Sequence, residues 1–156
     1  MDTKEDIQER RVSPTDVEYV PALAVFHCRW CLPDSEELRE LLPQRTRERS
    51  LLVKINCSAR MESELALKAL AGGYDGVLVI GCAMGECHYR IGNRLALKRL
   101  TLLRDIFSLA GIYPERLGLL WASPFDKDSI RSSVEGFVAD LARLGPFKYV
   151  MEERTR

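Results

Sequence analysis

Five cysteines are the residues of this 156-residue chain whose types and spacing suggest chemistry. Cys28 and Cys31 form a C-x2-C pair, Cys82 and Cys87 form a C-x4-C pair, and Cys57 lies between the pairs. Thiolates are soft ligands that bind iron–sulfur clusters and zinc alike, so the ligand type alone does not decide between them. Two pairs and one further cysteine can provide the four thiolates that a [2Fe–2S] or [4Fe–4S] cluster needs.

The segments between the cysteines alternate between short apolar runs and amphipathic stretches. The run at 76–81 is continuously apolar, which is typical of a strand that is covered on both faces. Alternating strands and helices imply right-handed crossovers and parallel pairing. The sequence therefore predicts an α/β fold with a small, open, mostly parallel sheet of about four strands flanked by helices. The predicted strands are 23–26, 50–55, 76–81 and 117–121, and the predicted helices are 35–42, 62–71, 92–111 and 129–144.

Two of these helices allow more detailed predictions. Ser35 is the expected cap of the first helix, because its hydroxyl can accept from the free amides of the first turn. The long helix that begins at Gly92 has an apolar face of its own. Its core candidates are Leu95, Leu100, Leu103, Ile106 and Phe107.

Each cysteine lies at or just beyond the C-terminal end of a predicted strand. In open α/β sheets this edge binds ligands, where the strand order reverses. We therefore expect three neighbouring strands to bring all five sulfur atoms to one rim. Structural zinc sites place their cysteine pairs in small ribbons, whereas these pairs follow distant strands of a domain with its own core, which favours a cluster. A thioredoxin-like pair at Cys28 and Cys31 is the third interpretation, and Cys57 alone could be an inert buried thiol.

Two histidines and a group of basic residues accompany the cysteines. His27 and His88 each neighbour a cysteine and are expected to donate or accept hydrogen bonds rather than to ligate. Arg90 and Arg94 belong to a basic group that follows Cys87, in which Asp105 is the one acid between His88 and Ala110. This group is either a solvated helix face, or it raises the reduction potential of an anionic cluster and attracts an acidic partner.

The bulk composition excludes several functions. Lys plus Arg and Asp plus Glu are each 23, which argues against a general nucleic-acid or membrane-surface binder. No apolar run is long enough to span a membrane, and the first twenty residues lack the composition of a signal peptide, so we expect a cytoplasmic protein. Predicted regions are a charged, mobile or partner-docked extension (1–20), an iron–sulfur α/β domain (21–146) and a C-terminal tail (147–156). No phosphate loop or Ser-His-Asp arrangement is visible, which predicts a non-catalytic subunit.

Several segments resemble the delta subunit family of methyl-viologen-reducing hydrogenase. The likeness runs from about Leu23 to Pro146 and is most specific at Gly-Cys-x4-Cys-His-Tyr with a following Gly-Asn. It departs from the family pattern at Ala59 and at Ala83-Met84. The segments that carry it are Cys28-Arg29-Trp30-Cys31, Lys54-Ile55-Asn56-Cys57-Ser58, Asp75 to Cys82, Gly85 to Tyr89, Gly92-Asn93 and Gly111 to Arg116.

The resemblance implies a [2Fe–2S] electron-transfer subunit in an anaerobe. Such a subunit links a hydrogenase, formate dehydrogenase or other dehydrogenase module to the flavin- and iron–sulfur-containing A subunit of a heterodisulfide reductase-type complex. All five family cysteines are matched here, and which four of them ligate stays open. The competing functions are a thiol-disulfide oxidoreductase that uses Cys28 and Cys31, and a zinc-stabilised interaction module.

Overall fold

A computed structural model describes residues 18–148 of the chain. Its four strands form one sheet in the order β2-β1-β3-β4, and every neighbouring pair is parallel. The strands are β1 (Leu23–Cys28), β2 (Ser50–Ile55), β3 (Gly76–Cys82) and β4 (Leu117–Ala122). The helices are α1 (Ser35–Leu41), α2 (Gln44–Arg47), α3 (Ser63–Ala71), α4 (Gly92–Leu109) and α5 (Lys127–Leu144), with short 3-10 turns at Ser58–Arg60 and Pro114–Arg116. The predicted open, parallel α/β sheet flanked by helices is confirmed.

The sheet separates two cores because successive side chains of a strand point to opposite faces. Leu23 and Val25 of β1 pack with α1 and α5, whereas Ala24 and Phe26 pack with α3 and α4. Every residue of β1 and β3 is buried, as the continuous apolar runs of these central strands require. Residues 1–17 of the predicted extension and 149–156 of the predicted tail lie outside the described part of the chain.

The short helix α2 was not predicted, and the cap of α1 differs from prediction. Asp34, not Ser35, caps α1: its carboxylate accepts from the Glu36 amide at 2.9 Å. The Ser35 hydroxyl bonds a ring nitrogen of His27 instead, at 2.9 Å. Either side chain can cap a helix, and the nearby imidazole of His27 decides between them.

The buried face of α4 was also predicted in part wrongly. Leu100, Leu103 and Phe107 are buried, but Leu95 and Ile106 are 39% and 49% exposed. Helix geometry explains the difference, because the buried residues follow a four-three-four spacing, and Leu95 and Ile106 lie about 90–110° around the helix from the centre of that face. The helix therefore has one apolar face in the core and a second one in solvent.

The strand order creates a crevice at the C-terminal edge of the sheet. The chain leaves β1 in one direction to form β2 and then crosses back to β3, so the order reverses between β1 and β3. Loops that leave neighbouring strands on either side of such a switch point diverge and open a ligand site. Two of the three cysteine-bearing loops leave from this point.

At the N-terminal edge of the sheet, one buried carboxylate, that of Asp75, binds several parts of the chain. Asp75 accepts hydrogen bonds from the Tyr19 hydroxyl at 2.6 Å, the Ala22 amide at 2.7 Å and the Phe147 amide at 2.8 Å. Buried Arg116 donates to the backbone carbonyls of Asp75 and Gly145. Burial, and then the hydrogen bond to Asp75, raise the pKa of Tyr19 to about 12. Both ends of the described chain are thus held at the edge away from the cysteines.

Candidate metal centre

The five sulfur atoms lie at the C-terminal edge in two groups. Cys28, Cys31 and Cys82 have Sγ atoms that all lie within 4.8 Å of one another, and Cys28 Sγ is 3.8 Å from Cys82 Sγ. Cys57 Sγ is 3.9 Å from Cys87 Sγ. All five are free thiols, and all but Cys87 are buried. The loops after β1, β2 and β3 each contribute to this edge, as the sequence predicted from the positions of the cysteines.

The two close pairs have the spacing of thiolates that share a metal ion. Thiolates about 2.3 Å from a tetrahedral metal lie about 3.8 Å from each other, which is the edge of the tetrahedron. The Cys28–Cys82 and Cys57–Cys87 separations of 3.8 and 3.9 Å match this edge. The donor set is composed of soft thiols on three loops of a preformed domain. An iron–sulfur cluster fits this set.

Cys31 is placed differently from the other four cysteines. Its Sγ is directed toward backbone, 3.5 Å from the Cys28 carbonyl and 4.0 Å from the Ile80 carbonyl, and the residue is 1% exposed. Interaction with the neighbouring Cys31 thiol lowers the pKa of Cys28 to about 5 and raises the pKa of Cys31. Cys31 is therefore a buried thiol beside the Cys28 sulfur that is directed at backbone carbonyl oxygens.

Burial opposes further ionisation at this edge. It raises the pKa of Cys82 to about 11 and raises the pKa of Cys57 as well. A set of four thiolates is unfavourable here unless a cation balances the charge, so metal binding would release protons.

Gly92 lies against the Cys57–Cys87 sulfur pair. A Cβ atom at this position would lie 2.3 Å from Cys57 Sγ and 3.1 Å from Cys87 Sγ, so only glycine allows α4 to begin this close to the sulfurs. The N-terminal end of α4, with its unpaired amides, therefore faces the site. The sequence showed a glycine at the start of the helix, but its contact with two sulfurs could not be predicted without the packing of the loops.

Asn93 fastens the loop that follows Cys82. Its Nδ2 donates to the Cys82 carbonyl at 3.0 Å and to the Ala83 carbonyl at 2.9 Å, and the side chain is fully buried. Its Oδ1 is buried without a hydrogen-bond partner in the described part of the chain. Buried polar atoms normally have a partner, so this oxygen is an acceptor that is open to a donor at the site. Sequence reasoning found Asn93 only through the family motif.

An aromatic group closes the outer side of the site. The Trp30 and His88 rings stack with centroids 3.5 Å apart at 10°, and Tyr89 meets both rings edge-on. Trp30 lies between Cys28 and Cys31, whereas His88 and Tyr89 follow Cys87. The stack therefore joins two cysteine-bearing loops, and we call these three residues the aromatic lid. All three side chains keep a solvent-exposed surface.

His27 is a structural neighbour of the cysteines. Its Nδ1 is 2.8 Å from the Leu32 carbonyl, which can only accept, so Nδ1 carries the proton. Its Nε2 then accepts from the Ser35 hydroxyl at 2.9 Å. Burial lowers the pKa of His27, which keeps the ring neutral. With both nitrogens engaged, His27 positions the Cys28–Cys31 loop instead of ligating.

The predicted basic residues surround the start of α4. Arg90, with a left-handed φ of 70°, and Arg94 are both exposed. Neither forms an ion pair within residues 18–148, and neither do Lys98 and Arg99. Arg99 instead donates to the Ala59 carbonyl at 2.6 Å, which fastens the loop after Cys57 to α4. No described helix combines the length and the hydropathy that a membrane span requires.

Fold and site together define a class of protein: a parallel α/β domain that presents a set of thiols suited to a metal at its ligand-binding edge. The chain belongs to the family described as methyl-viologen-reducing hydrogenase, delta subunit, whose sequence model matches residues 23–145. The predicted resemblance is thus confirmed over nearly the whole described domain.

Individual relatives occur both as separate subunits and as parts of longer chains. The D-type iron–sulfur subunit of an F420-non-reducing hydrogenase from Archaeoglobus profundus is 36% identical over 132 residues, which are 85% of this chain and 96% of that one. The A-type subunit of a ferredoxin/F420H2-dependent CoB-CoM heterodisulfide reductase from Methanosarcina acetivorans is 37% identical over 126 residues. That match covers 81% of this chain but 16% of the relative, so this chain spans only a small part of it.

Proposed function

We propose that this chain holds one [2Fe–2S] cluster and transfers electrons between a hydrogenase or other dehydrogenase module and the flavin-containing A subunit of a heterodisulfide reductase-type complex. The observation that carries the proposal is the pair of sulfur–sulfur separations, 3.8 and 3.9 Å, at one sheet edge. The names of the relatives support it, because they include both an iron–sulfur subunit of a hydrogenase and the A-type subunit of a heterodisulfide reductase. The cytoplasm, where thiols stay reduced, is the proposed location.

The four proposed ligands are Cys28, Cys82, Cys57 and Cys87. Each pair has the spacing expected on one metal ion, and two such pairs correspond to the two irons of a [2Fe–2S] cluster. When bound, the cluster supplies a site that accepts and releases one electron. Cys31, whose thiol points to backbone carbonyls and to Cys28, is proposed as a hydrogen-bond donor that does not ligate.

The remaining site residues control the surroundings of the sulfurs. The start of α4 directs free amides toward them, and Asn93 holds the Cys82 loop. His88 shields the outer side through its stack on Trp30. The positive charges of Arg90 and Arg94 favour the more negative, reduced state and attract an acidic partner surface.

Metal and sulfide analysis of anaerobically purified protein tests the proposal. We expect about two iron atoms and two sulfides per chain, with less than stoichiometric zinc. Cys82→Ser and Cys87→Ser should lose or convert the cluster spectrum, whereas Cys31→Ser serves as the matched control and should keep its iron content. One zinc per chain without iron would instead establish a zinc module, and loss of iron only in Cys31→Ser would reverse the ligand assignment.

A further inference from the structure

Helix α4 exposes a row of large apolar side chains that no other part of residues 18–148 covers. We call this row the α4 stripe. It starts at Ile91, the residue before the helix, which is 55% exposed. Leu102 and Leu109 are 61% and 90% exposed. The members of the stripe are Ile91, Leu95, Leu102, Ile106 and Leu109.

The α4 stripe runs along one side of the helix, with Lys98 and Arg99 between Leu95 and Leu102. At 3.6 residues per turn, its members fall within an arc of about 60° on one flank of the helix, beside its buried face. From Leu95 to Leu109 the stripe is about 21 Å long at 1.5 Å per residue. An exposed apolar surface of this kind on a small domain marks an interaction site.

Helix α5 shows that this exposure is not a general property of the fold. Both helices have 18 residues and pack one face against the same sheet. Yet none of the large hydrophobic side chains of α5 is exposed, and its outer face consists of charged, Ser, Gly and Ala residues such as Arg131, Ser132 and Glu135. The difference between two otherwise similar helices distinguishes α4 as the one with large apolar side chains left exposed.

The position of α4 fits a partner that is joined to the domain and exchanges electrons with it. In the Methanosarcina acetivorans relative, the matching segment is part of the long A-type chain of a heterodisulfide reductase. In such a fused chain, the rest of the polypeptide connects at the ends of the domain. Tyr19 and Phe147, near these ends, both contact Asp75 on the sheet edge away from the cysteines. The sulfur atoms lie at the opposite edge, where Gly92 starts α4. The α4 stripe spans the distance between these two edges.

The charges beside the stripe favour a partner over a second copy of this chain. Arg94, Lys98 and Arg99 line its sides without intrachain ion pairs among residues 18–148, and Asp105 is the one acidic residue within α4. Two copies would bring like charges together, which disfavours self-association. A partner whose apolar surface has an acidic border would instead complement both the α4 stripe and the basic residues beside it.

We propose that the α4 stripe is the docking surface for the heterodisulfide reductase A-type subunit. That subunit contributes an apolar surface with an acidic border. This inference rests on the proposed function and assigns it a specific face. The aromatic lid is then left free for the other redox partner. A partner seated along α4 contacts Ile91 and so comes next to the helix end that touches the Cys57 and Cys87 sulfurs.

The test is anaerobic affinity purification of the tagged full-length chain from its native host. The double variant Leu102→Ser/Ile106→Ser interrupts the α4 stripe at its centre, and Leu67→Ser, on α3 and 45% exposed, is the matched control. Mass spectrometry measures the heterodisulfide reductase A-type subunit recovered per chain, and iron content is measured on the same samples. We expect at least a tenfold lower recovery for the double variant, with recovery unchanged for Leu67→Ser and with wild-type iron in both.

The possible results distinguish an error in the docking surface from an error in the proposed function. Undiminished recovery by the double variant overturns the docking surface and leaves the proposed function intact. If the wild type recovers no A-type subunit, the proposed function and the surface both fail. A purified wild type that is a dimer by light scattering, and becomes monomeric in the double variant, identifies a second copy as the occupant and overturns the proposal.

Discussion

Replacing Gly92 with Ala separates the site from the fold, because the added methyl group meets the sulfur pair and, beyond it, the Ala59 Cβ at 3.3 Å. The new Cβ would lie 2.3 Å from Cys57 Sγ, and ordinary contacts start at 3.4 Å, so the sulfur or the helix must move by at least 3.4 − 2.3 = 1.1 Å. Metal–sulfur distances tolerate only about 0.2 Å. We therefore expect at least tenfold weaker retention of iron.

The fold should tolerate the same change. Alanine is favoured over glycine in a helix by about 1 kcal/mol, and without a metal the Cys57 thiol can rotate away from the methyl group. We expect the free energy of unfolding of the metal-free protein to change by no more than about 1 kcal/mol. Gly136→Ala is the matched control, because Gly136 is a helical glycine of α5 with open space around its Cβ position.

Three measurements on Gly92→Ala, Gly136→Ala and wild type decide the outcome. They are iron and sulfide content after anaerobic reconstitution, the rate of iron loss to a chelator, and urea unfolding of the metal-free proteins. Wild-type iron retention by Gly92→Ala refutes the placement of Cys57 beside the start of α4. Equal loss of iron in Gly136→Ala would show that the effect is not local to the sulfurs.

Four further changes probe other parts of the structure. Asp75→Asn should lower the free energy of unfolding in urea by about 3 kcal/mol, because a buried carboxylate with three donors is replaced. The control Asp140→Asn, at a half-exposed carboxylate paired with Arg143, should change it by less than about 1 kcal/mol. The folded-state pKa of Tyr19, about 12, lies above its ordinary value of 10, so its contribution to stability is present below pH 10 and declines between pH 10 and 12. Tyr19→Phe should remove this decline from unfolding curves measured across that range. Trp30→Ala should speed the bleaching of the cluster spectrum in air severalfold, since it opens the stack on His88, and an unchanged rate would count against shielding. Arg94→Gln should lower the reduction potential by about 40 mV at low salt and converge with wild type at high salt, as a redox titration can show.

The fold could be predicted from the sequence because its main signals are local. The apolar run at 76–81 shows a strand buried on both faces, and β3 has every residue buried. The positions of the cysteines after strands placed them at one edge of a parallel sheet. Both inferences need only periodicity, chain direction and the rule that parallel strands end at a common edge.

The contacts between elements could not be predicted in this way. Leu95 has the same residue type as the buried Leu103, and Ile106 is equally apolar, so periodicity alone does not rank two apolar faces of one helix. The pairing of Cys57 with Cys87, and the aim of Cys31 at backbone carbonyls, depend on the loop conformations. The roles of Gly92 and Asn93 likewise follow from how α4 packs against two loops that are distant in sequence.

Helix α4 connects the site with the surface proposed for the partner. Its first residue contacts two sulfurs, the next holds the Cys82 loop, and its outer face carries the α4 stripe. A packed helix moves as a rigid element, because its buried face interdigitates with the core. A partner that binds the α4 stripe and shifts the helix by about a few tenths of an ångström therefore moves Gly92 relative to the Cys57 and Cys87 sulfurs. The helix and these sulfurs are in close contact there. Partner binding is expected to change the environment of the Cys57–Cys87 pair more than that of the Cys28–Cys82 pair.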